Sequence, residues 1–227
     1  MKNEVIVIGS KPNAVIPKND YKKIYTANGA CERGAKLKDI NKDSSLIAVV
    51  GGREFIGNPM ITQRVVQSYP DRLYIRGAQI DPKEFFNYEI SITNVWNNEQ
   101  VKFQKKFFRF GLLSIYLAEL KYMDNLKDKF LHILKCIFKR KLWGISTGFY
   151  AILLALDENR EKNVIISGIG MVGGKQYYPN ERNKLLDYTP RSKVDKFLIY
   201  FLKNEFKKRL STTDKNLSHI ANIKYLI

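Results

Sequence analysis

A chain of 227 residues, 44% apolar and 12% aromatic, has the length and composition to bury one sizeable core, which excludes disorder as its main state. Its 39 Lys and Arg against 22 Asp and Glu give a formal charge of +17, which favours an anionic partner: nucleic acid, an anionic membrane or glycolipid, or a nucleotide-sugar. Two cysteines, Cys31 and Cys136, supply neither a disulfide framework nor a Cys-rich zinc site, and no run of 18 apolar residues predicts a spanning helix.

In chain order, the opening MKNEVIVIGS has too short an apolar run for a signal peptide. EVIVIG predicts a strand that ends at Gly9, and Pro12 discourages its regular continuation. KKIYTANGA (22–30) repeats the plan, with Ile24 and Tyr25 in a strand closed by Asn28-Gly29. SSLIAVVGGREF (44–55) does so a third time, ending at Gly51-Gly52, and DRLYIRG (71–77) is a fourth, less apolar strand. Short strands that end in Gly or Asn predict an α/β layer. The intervals between them are short for full crossover helices, which leaves the strand order open.

VKFQKKFFRFGLLSIYLAELKYM (101–123) and LKDKFLHILKCIFKR (126–140) predict helices, the first interrupted by Gly111 at a cost of about 1 kcal/mol relative to alanine. In ISTGFYAILLALDENREKNVIISGIGM (145–171), Ser146 or Thr147 caps an apolar helix that runs through Leu156. NVIISG (163–168) then forms a buried strand ending at Gly168. A last helix is expected over 192–210. Positive charge concentrates in 126–141 and 201–210, mixed with large apolar residues at helical spacing. That pattern fits solvated helix faces or a surface pressed against an acidic bilayer. Nucleic acid is the weaker alternative, since no recognisable binding module accompanies the charge.

In a largely parallel sheet the strand carboxyl ends form one rim, so Gly9-Ser10, Asn28-Gly29, Gly51-Gly52 and Gly168 are expected to converge around a nucleotide. Neither GxGxxG nor GxxxxGK[ST] is present. Ser10 fits either a turn or a donor to phosphate or ribose, and Asn28 either a turn or an amide contact to a nucleotide. Ser146-Thr147-Gly148 opens a helix whose free amides suit an anion or a simple cap. Tyr177 and Tyr178 follow GIGMVGGKQ and could stabilise a leaving phosphate by hydrogen bonding without a metal, or anchor a loop. Arg182 and Arg191 could hold a carboxylate or form surface ion pairs. His132 reads as a packing or surface residue, whereas His219 and Asp187 are the candidate bases. No metal-ligand spacing and no GxSxG elbow occurs.

The ordered fragments VIVIGSKPN, YTANG, ISTGFYAILLAL followed by NVIISGIGM, VDKFLIYFL and the closing STTDKNLSHIANI resemble the bacterial sialyltransferases of glycosyltransferase family 42. The resemblance implies an α/β fold, a single Rossmann-like nucleotide-binding domain over 1–227 with a mostly parallel sheet and a small helical lid. The helices at 101–141 would then face acceptor or membrane. It also implies a CMP-activated acidic sugar as donor. Ser10 matches the first glycine-rich loop against the donor, and Asn28 an asparagine that binds the nucleotide or its phosphate region. Ser146, Thr147 and Gly148 match the loop that grips cytidine and ribose. Tyr178 matches one of two tyrosines on the leaving phosphate. Val172 stands at the other, YTPRSKVDKF contains no histidine where the family places its catalytic one, and Gly51-Gly52-Arg53 replaces an Asn-Pro-Ser type loop.

The combined expectation is a glycosyltransferase of lipopolysaccharide or capsule biosynthesis, moving a nonulosonic acid or Kdo from CMP to a cell-surface glycan or glycolipid. His219 or Asp187 would act as base, no metal would be obligatory, and the protein would be cytoplasmic, peripheral on the inner face of the membrane. The alternative is a catalytically inactive nucleotide- or glycan-binding protein.

Overall fold

The computed structural model describes residues 4–12, 14–121, 123, 125–139, 144–171 and 190–226, apart from the side chains of residues 82, 135–139 and 190–192. Its strands are β1 (Glu4–Ile8), β2 (Tyr21–Ala27), β3 (Ser45–Gly51), β4 (Arg72–Arg76), β5 (Ser91–Val95), β6 (Val164–Ser167), β7 (Leu210–Thr212) and β8 (Lys224–Tyr225). They form one eight-stranded sheet in the order β5-β4-β3-β2-β1-β6-β7-β8. Every neighbouring pair is parallel. The architecture is Rossmann-like α/β, and the strand order reverses between β1 and β6, the topological switch point of such sheets.

The central strands read as unbroken apolar runs because helices cover both faces. Val5, Val7, Tyr25 and Val49 pack under α7 (Thr147–Glu158), α5 (Leu112–Lys121) and α8 (Pro190–Leu198). Ile6, Ile8, Ile24 and Val50 face α1 (Cys31–Ile40) and α3 (Pro59–Gln67) through Cys31, Leu37, Ile61 and Val65. Helix α7 is apolar almost all round, with Phe149 to Leu156 buried, as a helix seated between a sheet and a second helical layer must be.

The direction of α7 is set at its carboxyl end. Arg72 reaches both oxygens of Glu158, Nη2 to Oε1 at 3.0 Å and Nη1 to Oε2 at 3.2 Å. Tyr25 and Tyr74 donate their hydroxyls to the same carboxylate at 2.6 Å each. Burial alone would push the Glu158 carboxyl up, but the tyrosine hydrogen bonds and the Arg72 charge outweigh it and hold the group below the ordinary carboxylate range. Because Arg72 opens β4, this clamp fixes the end of α7 at the amino edge of the sheet and sends its start to the carboxyl rim.

Two expected helices are divided. In place of one helix over 101–123 stand the end of α4 (Asn97–Lys105) and then α5, with Gly111 at φ +53 between them. The break turns Phe107 and Phe108 into the core, where Phe108 bridges Leu202, Arg109 N donates to Phe201 O and Lys203 N to Phe107 O. The same pairing ends the second helix. Helix α8 stops at Leu198, a 3₁₀ turn covers Ile199–Phe201, α9 spans Asn204–Lys207, and Leu210 already belongs to β7. Helix α6 (Leu126–Lys139) lies where expected, with His132 buried against Glu119. Residues 9–20 link β1 to β2 without a helix, and the short α2 (Gly52–Gly57) precedes α3. Among the described residues no helix is long and apolar enough to cross a membrane.

Candidate functional site

At the switch point the β1 and β6 ends touch. Gly9 N donates to Ser167 O at 2.8 Å and Lys11 N to Gly168 O at 2.9 Å. A Cβ on Gly9 would lie 2.2 Å from the Gly168 carbonyl oxygen, so glycine is what lets the two backbones meet. The space a side chain would need at Gly9 is taken by Gly168, and that at Gly168 by Ala14, 2.6 Å away. Lys11 Nζ continues to Asp214 Oδ2 at 2.6 Å, where Asp214 caps α10 (Lys215–Ala221). Ser10, half-buried, stands between these contacts.

The more open part of the rim lies over β2 and β3. Asn28 follows β2 in the left-handed region, φ +49, a conformation asparagine tolerates better than most side chains. Its Oδ1 accepts the Gly51 amide at 3.1 Å and its Nδ2 donates to Glu54 Oε2 at 2.5 Å. Above Gly51 a Cβ would stand 3.3 Å from Glu54 Oε2 and 3.4 Å from Thr147 Oγ1, so a carboxylate and a hydroxyl share the space that this glycine leaves. Gly52 instead closes onto Ala78, whose Cβ would be 2.3 Å from one on the glycine.

The start of α7 is held over this point by buried charged groups on three elements. Gly144 N donates to Glu119 Oε1 of α5 at 2.8 Å, and Ser146 N donates to Asp195 Oδ1 of α8 at 3.0 Å. Arg76, closing β4, donates to Ile145 O at 2.9 Å and to Thr147 Oγ1 at 3.4 Å. Its Nε and Nη2 also hold Gln100 Oε1 at 3.0 and 2.8 Å, and its guanidinium lies 4.6 Å from the centre of the Tyr150 ring. Glu119, Asp195 and Arg76 are 0%, 1% and 9% exposed. Burial pushes the Tyr150 phenol up to about 12, so the ring under the guanidinium stays neutral. Successive peptide groups of 144–146 are thereby fixed, with a separate charge for each.

Ser146 Oγ caps the helix by accepting Phe149 N at 3.2 Å, and Tyr150 N bonds Ser146 O at 3.0 Å. The amides of Thr147 and Gly148 have no hydrogen-bond partner among the described residues. Two free N–H groups at the positive end of a helix, beside a threonine hydroxyl, can receive an anionic oxygen.

The structure therefore brings Asn28, Gly51, Ser146, Thr147 and Gly148 to one place, with Gly9, Ser10 and Gly168 on the adjoining strand ends. His219 is not part of that cluster. It is exposed on α10, which follows β7, three strand positions and about 14 Å across the sheet from the end of β2. Tyr177, Tyr178, Arg182 and Asp187 lie outside the described residues, as does Val172. Arg191 sits in the first turn of α8, one turn before Asp195, with its side chain outside the description.

Sequence reasoning missed Glu54, Arg76, Glu119 and Asp195. The signal for three of them was present as charge where apolar neighbours predict burial: Arg76 closing RLYIR, Glu119 beside Ile115 and Ala118, Asp195 between Val194 and Leu198. Among the described residues no group of three or more His, Cys, Asp or Glu could hold a metal ion. A cavity of about 910 Å³ lies between residues 14–20 and α1, running from Ala14 and Arg33, near the end of β1, to Glu4 and Asn41 at the amino end of the sheet.

Comparison with known proteins yields no matching family model, no matching curated protein and no matching solved structure.

Proposed function

We propose that the chain is a glycosyltransferase that moves an acidic sugar, of nonulosonic or Kdo type, from a CMP donor to a cell-surface glycan or glycolipid. The observation that carries this reading is the start of α7, pinned over the glycine end of β3 and beside Asn28, with two amides and a hydroxyl available to an anion. A nucleotide phosphate placed there meets fixed dipoles, which stabilise charge developing on the leaving CMP without reorganisation. In this reading Tyr178 adds a hydroxyl donor to the same phosphate, and no metal is required. An acceptor hydroxyl aligned with the anomeric carbon then attacks as its proton passes to a base. Of the two candidate bases, His219 stands across the sheet, so the reading relies on Asp187.

The resemblance to family 42 supplies the choice of CMP, and a thermal-shift comparison of CMP, CDP, UDP and GDP tests it. Cytidine nucleotides should raise the melting temperature selectively, and equal shifts for all four would overturn the choice. Release of CMP from a CMP-sugar in the presence of acceptors then tests the transfer.

A second reading, nucleotide or glycan binding without turnover, is favoured by the histidine-free YTPRSKVDKF segment. It predicts selective binding with no CMP release over a broad acceptor panel. We further place the chain in the cytoplasm against the inner face of an anionic membrane. Leu126 and Phe130 of α6 are 81% and 61% exposed, one helical turn apart and beside exposed Lys127. Apolar side chains interleaved with lysine in this way suit the headgroup boundary. Retention by vesicles containing anionic lipid, lost on reversing the charges of Lys139, Arg140 and Lys141, is the expected result.

A further inference from the structure

We propose that Glu54, Asn28 and Thr147 form a hydroxyl-binding subsite for the ribose diol of the nucleotide, with the phosphate directed to the start of α7; this rests on the nucleotide-binding reading above. The starting point is the charge of Glu54. Its half-buried carboxylate has one hydrogen-bond donor among the described residues, the Asn28 amide, and no lysine or arginine among them pairs with it. A carboxylate can only accept, so the acceptor capacity that Asn28 leaves is open to a donor on an occupant of the rim.

Two classes of occupant are disfavoured there. A phosphate or sugar carboxylate next to Glu54 would face like charge in a partly desolvated site. A bare cation would find no group of three or more His, Cys, Asp or Glu among the described residues, and the positive end of α7 lies beside it. Neutral hydroxyls fit all of these constraints. Each donates to Glu54 while its oxygen can accept from the remaining Asn28 N–H or from the Thr147 hydroxyl. That hydroxyl is itself oriented by the bond it receives from Arg76.

The neighbouring groups also fix the polarity of the bound molecule. Thr147 Oγ1 and Glu54 Oε2 flank the one glycine, Gly51, and the free amides of α7 begin at Thr147. In this arrangement one ribose 5′-phosphate reaches Glu54 with its diol and the α7 amides with its phosphate, since Glu54 Oε2 and Thr147 Oγ1 lie 3.3 and 3.4 Å from the same Cβ position on Gly51. Asn28 acts here mainly as a positioning residue, since its oxygen is bound to Gly51 N and one of its N–H groups to Glu54.

The test is isothermal titration of the full chain, in EDTA and in parallel with magnesium in its place, with CMP, 2′-deoxy-CMP and 3′-deoxy-CMP, and with ribo and deoxy forms of UMP and GMP. Wild type should bind CMP about tenfold or more tightly than a deoxy analogue, the size of one hydrogen bond to a charged acceptor. Glu54→Gln keeps an acceptor for Asn28 and should compress that preference to about threefold or less while CMP still binds. Should Glu54→Gln not fold, Glu54→Asp withdraws the carboxylate by one methylene and should show the same compression.

An unchanged ribo-over-deoxy ratio in the variant would refute the subsite. So would nucleotide affinity that needs added magnesium and disappears with Glu54, which assigns the carboxylate to a cation. Ribose discrimination that depends on Glu54 without preference for cytidine keeps the subsite and removes the CMP reading. Cytidine preference without ribose discrimination does the reverse, and no binding of any nucleotide refutes both.

Discussion

Replacing Arg76 by methionine tests whether buried charge is what holds the start of α7 at the rim. The guanidinium makes two bonds to Gln100 Oε1, one to Ile145 O and a longer one to Thr147 Oγ1, and lies over Tyr150. Methionine leaves the Ile145 and Gln100 oxygens as buried acceptors without this donor, at about 1–3 kcal/mol each. Loss of the ring contact adds roughly 0.5–2 kcal/mol. The methionine stem recovers part of the packing, and one less charge is buried. The net cost should be roughly 3–5 kcal/mol, or a melting temperature lower by roughly 6–20 °C for a chain of this size.

Urea denaturation and calorimetry read the stability, and titration with CMP reads the site. Binding should weaken together with stability, because the bond from Arg76 to Ile145 O sits two residues before the free Thr147 amide. Arg76→Lys, which keeps the charge but not the planar fork, should fall between wild type and methionine. An Arg76→Met protein within about 1 kcal/mol of wild type, with CMP affinity intact, would refute the reasoning.

Three further outcomes follow from the same geometry. Glu158→Gln should cost roughly 1–3 kcal/mol at pH 7. Because the folded-state carboxyl lies below its unfolded value, the stabilisation is complete above the unfolded range and fades as pH falls through the folded one; stability curves of wild type and variant should therefore converge in acid, not in base. Gly9→Ala places a methyl 2.2 Å from the Gly168 carbonyl oxygen and should destabilise by roughly 2 kcal/mol or more, whereas Gly170→Ala meets nothing within 4 Å and should stay within about 0.5 kcal/mol in the same melts. Tyr178→Phe should leave the melting temperature in place and lower turnover of a CMP-sugar by roughly 10²-fold or more, with wild-type turnover surviving EDTA; full activity in the variant would remove the tyrosine from the leaving-group role.

Much of the central sheet was legible because the physics that makes those elements is local. In EVIVI, SLIAVVG and VIIS the apolar run and its terminal glycine or small residue announce a buried strand and its end. Ser146 announces the start of α7 by the same local chemistry, a side-chain oxygen ahead of an apolar helix. Since strand ends and a helix start are what a Rossmann-like rim is made of, Asn28, Gly51 and Thr147 could be named without knowing which strands adjoin. Strand β5, with its SITNV exposed on alternate residues, and the short β7 and β8 gave no such sign. Their extended state comes from partners such as Val164 opposite Leu210.

What the chain alone determined is therefore the class of fold, the ends of the central apolar strands and the start of α7. The tertiary structure alone decided the order of the strands, the division of the two long helices by the 107–109 and 201–203 pairing, and the electrostatics of the site. Glu54 meets Asn28 across 26 residues, Ser146 meets Asp195 across 49, and Arg76 meets Ile145 across 69. Apolar neighbours in the sequence can mark a charged side chain as buried, but only the partner brought to it by folding says what it holds.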